Sequence, residues 1–273
     1  MLDIINQNGM LLLGCGKMGS AMLEGWLDRG VEPSAVWVND PHPSDYVKAL
    51  VPHGLNLNAP LPAAPALCVI AVKPQMMGEA LPAIAALGTG NTLFVSIAAG
   101  TTLGALAKAL GPQARIIRAM PNTPAAIARG ITAIIGNANA TAEDITLATA
   151  ALSAVGQVVR LSSEDQMDAV TALSGSGPAY VFHLIETMAA GGEAQGLPAE
   201  LALHLARATV AGAGALAELA PESPAELRVN VTSPGGTTAA ALGVLMDAET
   251  GFPPLLNKAI AAATERGRAL GKS

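Results

Sequence analysis

The stretch Met10-Leu11-Leu12-Leu13-Gly14-Cys15-Gly16-Lys17-Met18-Gly19 joins a short apolar run to the spacing G-x-G-x-x-G. A helical pattern of apolar residues follows and ends at Gly30, and a second apolar run at residues 35–38 closes on Asn39. This order of strand, glycine turn, helix and strand is the fingerprint of a dinucleotide-binding unit. The glycines allow the backbone to approach a pyrophosphate, which the helix N-terminus attracts. The glycine spacing alone also fits an ordinary turn, and the flanking elements favour nucleotide binding.

Further apolar runs alternate with helical patterns along the first part of the chain. The predicted strands cover residues 67–71, 92–96 and 116–118, with edge strands at 131–135 and 157–161. The predicted helices cover residues 78–86, 102–110 and 142–154. This alternation predicts an α/β fold with a doubly wound, parallel sheet of the Rossmann type. Because ligands bind at the carboxyl ends of parallel strands, the loops after these strands are expected to line a nucleotide site.

From Ser162 onward the strand pattern stops. Helices are predicted over residues 164–173, 178–190, 198–219, 237–248 and 253–270. We therefore predict a dinucleotide-binding domain over residues 1–162 and an all-helical domain over residues 163–273. The helix after Pro198 is rich in alanine and glycine and has a wide apolar face, which is typical of burial against another subunit.

The composition limits the class of protein. The 273 residues are 51% hydrophobic and 13% charged, with a mean hydropathy of +0.43, which indicates a large core or a surface covered by a partner. The longest uncharged run, residues 80–107, is broken by proline and glycines, so no membrane span is predicted. The first residues show no signal-peptide pattern, and we expect a cytoplasmic protein. The net charge of −6 argues against a nucleic-acid partner, and the spacing of the two cysteines and four histidines predicts no metal site.

A second candidate site is the stretch Asn230-Val231-Thr232-Ser233-Pro234-Gly235-Gly236-Thr237-Thr238. Its Pro-Gly-Gly turn leaves backbone amides unshielded, and the apolar run that follows can start a helix. Amides at a helix N-terminus bind anions, so a small carboxylate would suit this turn, with the hydroxyls as uncharged hydrogen-bonding groups. The alternative is a Ser/Thr-capped turn before a helix, and the turn by itself leaves both interpretations open.

Five motifs together carry a resemblance to a known family: G-C-G-K-M-G at 14–19, A-V-K-P-Q at 71–75, R-A-M-P-N-T-P at 118–124, L-S-G-S-G-P-A-Y at 173–180 and V-T-S-P-G-G-T-T at 231–238. Over nearly its whole length the chain resembles the pyrroline-5-carboxylate reductases, the enzymes of the last step of proline synthesis. The last two motifs are specific to that family, whereas the first is shared with many dehydrogenases.

The resemblance implies hydride transfer from NADPH or NADH to the C=N bond of 1-pyrroline-5-carboxylate, which gives L-proline. It also implies a homodimer, often built into rings of dimers, in which the helical domains interlock. The substrate pocket would then lie between the cofactor domain of one subunit and the helices of its partner.

The residue roles are likewise implied by the resemblance. The predicted substrate-binding residues are Glu164, Asn230, Ser233, Gly236, Thr237 and Thr238. Turn amides near Gly236 and Thr237, with Ser233, would hold the substrate carboxylate. The Thr238 hydroxyl would contact the ring nitrogen and is the predicted catalytic group. Without the resemblance, the favoured interpretation of Glu164 is a first-turn acid that stabilises a helix, and that of Asn230 is a helix end.

The predicted cofactor-binding residues are Gly14, Cys15, Gly16, Lys17, Met18, Asn39, Asn58, Ala71, Val72, Lys73, Pro74, Ala98 and Ala99. The glycine loop would take the pyrophosphate, and the loops after the next two strands would follow the ribose and nicotinamide. Asn58 would reach the adenosine half, or is an ordinary loop residue. Asp40 complicates the choice of cofactor, because an acid at the end of the second strand normally holds the 2′-hydroxyl of NAD and repels the 2′-phosphate of NADP. The prediction therefore stays NADPH or NADH.

Two other functions compete with the reductase. A two-domain 3-hydroxyacid dehydrogenase would carry a catalytic lysine on the first long helix after the cofactor domain, and residues 178–190 contain none. A non-catalytic NAD(P)-binding sensor would keep the glycine loop and lose the substrate turn, but the turn at 230–238 is intact. Both are ranked below the reductase.

Overall fold

The computed structural model describes residues 3–271, and their contacts divide the chain into two compact units. Unit 1 comprises residues 3–175 and 264–271, and unit 2 comprises residues 176–263. The strands are β1 Met10–Leu13, β2 Val36–Asn39, β3 Asn56–Leu57, β4 Leu67–Ile70, β5 Leu93–Ser96, β6 Arg115–Met120, β7 Gly130–Gly136 and β8 Gly156–Arg160. All eight belong to unit 1 and form one sheet of order β3-β2-β1-β4-β5-β6-β7-β8.

The helices divide between the two units. Those of unit 1 are α1 Asp3–Asn8, α2 Lys17–Asp28, α3 Asp45–Leu50, α4 Met77–Ala80, α5 Leu103–Leu110, α6 Ala142–Leu152 and α7 Met167–Val170. The others are α8 Gly177–Ala194, α9 Ala199–Leu219, α10 Pro224–Asn230, α11 Thr237–Leu245 and α12 Phe252–Leu270, of which α12 reaches unit 1 from residue 264. The predicted fold class is confirmed: a mainly parallel α/β sheet is followed by helices.

The centre of the sheet is a set of short strands that are apolar along their whole length. Every residue of β1, β4 and β5 is buried, as expected of parallel strands covered by helices on both faces. Each fully buried leucine there contributes about 1.5–3 kcal/mol to folding. On one face, Trp26 of α2 is fully buried and its indole donates a hydrogen bond to the Ala151 carbonyl of α6 at 2.8 Å. This contact holds the helix of the glycine motif against the sheet.

The sheet departs from the predicted parallel order at one pair, because β6 and β7 are antiparallel. The connection between them, residues 121–129, holds only a short 3-10 helix, Thr123–Ile127. A parallel crossover needs about a dozen residues or more, so this connection can only return the chain in the opposite direction. The helix α6 then provides the crossover that makes β8 parallel to β7.

Two predicted helices are irregular in the structure. The predicted helix at 78–86 is the short α4 followed by a 3-10 helix, Leu81–Thr89, because Pro82 lacks an amide donor near its start and a Cβ on Gly88 would overlap the Leu110 carbonyl. The predicted helix at 164–173 is a 3-10 turn, then α7, then a π-helix, Thr171–Gly175. The prediction also missed β3, α1, α3 and α10, which are short.

Residues 176–263, which form unit 2, contain helices joined by turns and no strand. The turn between α8 and α9 contains Gly196 at φ +93°, and the two helices pack through small residues. Ala189, Ala202 and Ala206 are buried, and a Cβ on Gly192 would lie 3.3 Å from the Ala202 Cβ. Large apolar side chains on α8, α9 and α11 stay exposed in the single chain. None of the helices within residues 3–271 combines the length and hydropathy that a membrane span requires.

Candidate active site

The glycine loop has the geometry that a pyrophosphate needs. Gly14 adopts φ +84°, and a Cβ there would lie 2.8 Å from Cγ1 of Val72. A Cβ on Gly19 would lie 2.8 Å from the Gly14 carbonyl oxygen, so α2 can pack on the loop only with glycine here. Gly16 caps α2 without any side-chain hydrogen bond, and a Cβ added to it would meet open space. The first amides of α2 therefore face a cradle that an anion can enter, which fits a dinucleotide.

The predicted cofactor residues lie at one edge of the sheet. Gly14–Met18 follow β1, Asn39 ends β2, Asn58 follows β3, Ala71–Pro74 follow β4, and Ala98 and Ala99 follow β5. Backbone hydrogen bonds join these segments, since the Gly14 amide donates to the Asn39 carbonyl and the Ala71 amide to the Leu13 carbonyl, both at 2.8 Å. The structure thus brings these residues together at the carboxyl ends of five neighbouring strands. Their individual contacts with a cofactor stay predictions.

Asp40 binds the glycine loop. Its Oδ2 accepts a hydrogen bond from the Cys15 amide at 2.6 Å, and its Oδ1 accepts one from the His42 amide at 2.7 Å. Asn58, at φ +49°, accepts from the Asp40 amide and donates to the Asp40 carbonyl, both at 2.9 Å. The sequence singled out Asp40 as an acid at the end of β2 but did not reveal that its carboxylate holds the loop.

Cys15 is a buried thiol inside the loop. Its Sγ lies 3.5 Å from the Ser20 hydroxyl, which also donates to the Cys15 carbonyl at 3.1 Å. Burial raises the pKa of the Cys15 thiol, and the nearby Asp40 charge acts in the same direction against the hydrogen bond from Ser20. The protonated thiol fills space in the loop and is a poor nucleophile.

Glu164 takes part in an ion pair that sequence reasoning missed. Its Oε1 accepts hydrogen bonds from Nη1 of Arg118 and from the Leu103 amide, each at 2.8 Å. The Arg118 side chain is only 6% exposed, so Glu164 neutralises a buried positive charge on β6. Through the Leu103 amide, Glu164 also binds the first turn of α5. The sequence feature that could have indicated this ion pair is an arginine inside the otherwise apolar run of β6. Whether Glu164 also meets the substrate stays a prediction.

The predicted substrate turn leads into α11. The Gly236 amide donates to the Ser233 carbonyl at 3.0 Å, with Pro234 in the second position and Gly235 at φ +69° in the third, as in a type II turn. Gly236 caps α11 without a side-chain hydrogen bond, although a serine or threonine side chain caps α3, α5, α6 and α10. The interpretation as a Ser/Thr-capped turn therefore does not describe this helix.

The other members of the predicted substrate set fall around this turn or outside it. Thr237 and Thr238 are the first two residues of α11, and Asn230 is the last residue of α10. Thr238 is half-buried, whereas Ser233 and Thr237 are exposed. Ser233–Thr238 and Asn230 belong to unit 2, and Glu164 belongs to unit 1.

A cavity of about 870 Å³ lies at the opposite edge of the sheet, where the strands begin. Arg115 lines it and is neutralised by Asp144 at 2.9 Å. None of the predicted site residues lines this cavity. Among residues 3–271, no group of three or more histidine, cysteine, aspartate or glutamate side chains is placed to hold a metal ion.

Two family models and several known reductases are similar to this chain. Residues 164–270 match the family model for pyrroline-5-carboxylate reductase dimerisation, and residues 10–100 match the model for NADP oxidoreductase, coenzyme F420-dependent. The pyrroline-5-carboxylate reductase of a Synechocystis species is 39% identical over 96% of this chain and 97% of that protein. The chain belongs to the pyrroline-5-carboxylate reductase family. The reductase of Escherichia coli is 37% identical over 96% of this chain and 97% of its own length.

Solved structures of the family share the fold. The pyrroline-5-carboxylate reductase of Coxiella burnetii is 33% identical and superimposes with a TM-score of 0.90 over 97% of this chain and 99% of that one. The enzyme of Plasmodium falciparum, solved with NADP bound, is 28% identical with a TM-score of 0.84 over the same shares of the two chains. In this chain, the oxidoreductase match spans β1 to β5 and the dimerisation match runs from Glu164 to the end of α12.

Proposed function

We propose that this chain reduces 1-pyrroline-5-carboxylate to L-proline with NADPH or NADH. Family membership over almost the whole chain supports the reaction. The observation that carries it is the turn before α11, where an uncapped helix N-terminus stands beside the hydroxyls of Ser233, Thr237 and Thr238. This turn suits a ligand that has a small carboxylate next to a group needing one hydrogen bond. A cyclic imine that carries a carboxylate has both groups.

Reduction of the imine requires little general acid–base catalysis from the protein. A hydride adds to the imine carbon, the nitrogen gains a proton, and the C=N bond becomes CH–NH. Bound NAD(P)H supplies the hydride. Protonated imines are already electrophilic, so orientation and a hydrogen bond to nitrogen suffice. The Gly236 amide donates within the turn, so the Thr237 amide that follows it, with the Ser233 hydroxyl, holds the carboxylate, and the Thr238 hydroxyl contacts the nitrogen. Asn230 and Glu164 are the other two residues that we assign to the substrate.

The cofactor is held by the residues at the carboxyl edge of the sheet. Gly14, Cys15, Gly16, Lys17 and Met18 present the loop and the start of α2 to the pyrophosphate. The segments that end β2, β3, β4 and β5 supply the rest of the surface: Asn39, Asn58, Ala71, Val72, Lys73, Pro74, Ala98 and Ala99. The open cradle at Gly16 supports this placement.

The assembly we propose is a homodimer, or a ring of dimers, formed through the helices of residues 163–273. The match of residues 164–270 to a dimerisation model and the exposed leucines of α9 support it. The division at 162/163 follows this functional boundary, whereas the contacts of the single chain divide after Gly175. We place the enzyme in the cytoplasm and give it no nucleic-acid or membrane partner.

The test is the loss of reduced-nicotinamide absorbance with 1-pyrroline-5-carboxylate and either NADPH or NADH. Turnover with the imine and none with 3-keto acids is expected for the reductase. Turnover with keto acids alone would favour the hydroxyacid dehydrogenase. Folded protein that binds nucleotide but turns over neither substrate would favour the sensor.

A further inference from the structure

We propose that Asp40 makes NADH a tighter ligand than NADPH for this chain. The inference rests on the proposed function only in taking the glycine loop as the nucleotide site. Asp40 directly follows β2, the strand end at which Rossmann folds meet the adenosine ribose. A carboxylate there accepts hydrogen bonds from the ribose hydroxyls of NADH and repels the 2′-phosphate of NADPH.

The carboxylate is held on both oxygens. Oδ2 accepts from the Cys15 amide at 2.6 Å and Oδ1 from the His42 amide at 2.7 Å. Rotation of the side chain away from a 2′-phosphate would leave both amides without this acceptor. Hydrogen bonds to a charged acceptor are stronger than those between neutral groups, so the side chain cannot easily rotate away.

The backbone of Asp40 is held as well. Asn58 bridges its amide and its carbonyl at 2.9 Å each, and the Asn58 amide donates to the Val38 carbonyl at 2.8 Å. Asn58 adopts a left-handed φ of +49° in this position, a conformation that asparagine tolerates better than most residues. The end of β2 is therefore fixed relative to the glycine loop by side-chain and main-chain contacts together.

Compensating cations are scarce in this segment. Residues 39–60 contain no arginine, and their one lysine, Lys48, pairs with Asp45 at 3.1 Å. Further negative charge comes from α2, since Glu24 and Asp28 both act on Tyr46 of α3 and help to raise its pKa. A 2′-phosphate, which carries about −1.5 to −2 charges at neutral pH, would add further negative charge beside the Asp40 carboxylate.

The first experiment titrates the full-length wild-type protein with NADH and with NADPH, without substrate, and follows the fluorescence of the reduced nicotinamide. We expect NADH to bind at least about tenfold more tightly, which is the size of one like-charge contact at a partly exposed site. Equal binding, or tighter binding of NADPH, would overturn the proposal.

The second experiment compares Asp40→Asn with Glu32→Gln. In Asp40→Asn, the side-chain carbonyl can still accept from the Cys15 amide without the charge, whereas Glu32 is exposed ahead of β2 and its replacement changes the net charge by the same amount. We expect Asp40→Asn to reduce the NADH-to-NADPH preference at least about fivefold and Glu32→Gln to leave it unchanged. Equal effects of the two variants would mean that the net charge of the protein sets the preference for NADH over NADPH. No effect of either variant would mean that Asp40 does not set this preference.

The wild-type titration needs no variant, so a folding defect in Asp40→Asn leaves the test intact, and Asp40→Ser repeats the comparison with another neutral acceptor. The two proposals also fail separately. Tight NADH binding without reduction of the imine would contradict the proposed function and leave the cofactor inference in place. Rapid reduction with tighter binding of NADPH would do the reverse.

Discussion

Thr238 is the residue on which the proposed chemistry depends most directly. It stands in the first turn of α11, directly after the uncapped turn, and its side chain is half-buried. We expect Thr238→Ala to lower kcat about tenfold to a hundredfold, because a hydrogen bond to a charged nitrogen is worth about 1.5–3 kcal/mol. The Kd of the nucleotide should change less than about threefold, since the hydroxyl serves the substrate.

Steady-state kinetics with the imine and a nucleotide titration measure the two effects. Thr187→Ala is the matched control, because the Thr187 hydroxyl bonds the carbonyls of its own helix at 3.0 Å. A large loss of nucleotide affinity in Thr238→Ala would assign this residue to the cofactor pocket instead.

The raised pKa of the Cys15 thiol predicts how its rate of alkylation depends on pH. Its pKa is raised by burial, so the thiolate forms only at a pH above that at which an ordinary thiol ionises. Alkylation by iodoacetamide should therefore be much slower than that of N-acetylcysteine at about pH 8, and should rise only at more alkaline pH. Mass spectrometry of the labelled peptide follows the reaction, and equal rates for the two thiols under these conditions would contradict the raised pKa of Cys15.

At the scale of elements, the pair of Arg118 and Glu164 joins β6, α5 and the start of the segment that leads to α7. Glu164→Ala leaves the buried Arg118 guanidinium and the Leu103 amide without their shared acceptor. We expect a loss of about 1–3 kcal/mol, which lowers Tm by about 2–12 °C in a chain of this size. Thermal unfolding followed by circular dichroism measures the shift.

The control for this pair is Glu186→Ala, which removes a glutamate whose contact with His183 is about three-quarters exposed on both sides. Exposed pairs contribute little, so its Tm should stay within about 1 °C of the wild type. Equal Tm values for the two variants would mean that the buried pair contributes no net stability. A rise in KM for the imine in Glu164→Gln, with Tm nearly unchanged, would support the additional role in the pocket.

Elements were predictable from the sequence where their own residues specify them. The runs at β1, β4 and β5 are apolar on both faces, which is typical of central strands in a parallel sheet. The predicted helix at 78–86 is α-helical only over α4, because Pro82 lacks the amide donor that would continue it. The antiparallel β6–β7 pair follows from the length of its connection, because residues 121–129 are too few for a parallel crossover.

At the scale of the whole molecule, the exposed apolar surface of unit 2 predicts association. Leu201 and Leu205 of α9 are 44% and 46% exposed in the single chain, and Leu219 is 80% exposed. A monomer rarely leaves so many leucines in water. We expect the wild-type protein to have at least twice the 27.3 kDa mass of one chain, and Leu205→Glu to shift it towards that mass.

Size-exclusion chromatography with light scattering measures the mass. Val51→Glu, which places the same charge at an exposed apolar position of unit 1, is the control and should keep the wild-type mass. A wild-type mass of one chain would contradict the proposed dimer. An unchanged mass for Leu205→Glu would move the interface away from this face of α9.

The sequence by itself determined the fold class and the family, and both predictions are confirmed. The glycine spacing, the apolar strands and the turn before α11 are local features, since each depends on residues that are neighbours in the chain. Only the tertiary structure decided that Asp40 holds the glycine loop and that Glu164 neutralises Arg118. These contacts join residues far apart in sequence, and their geometry depends on how strands and loops pack, which no local pattern records.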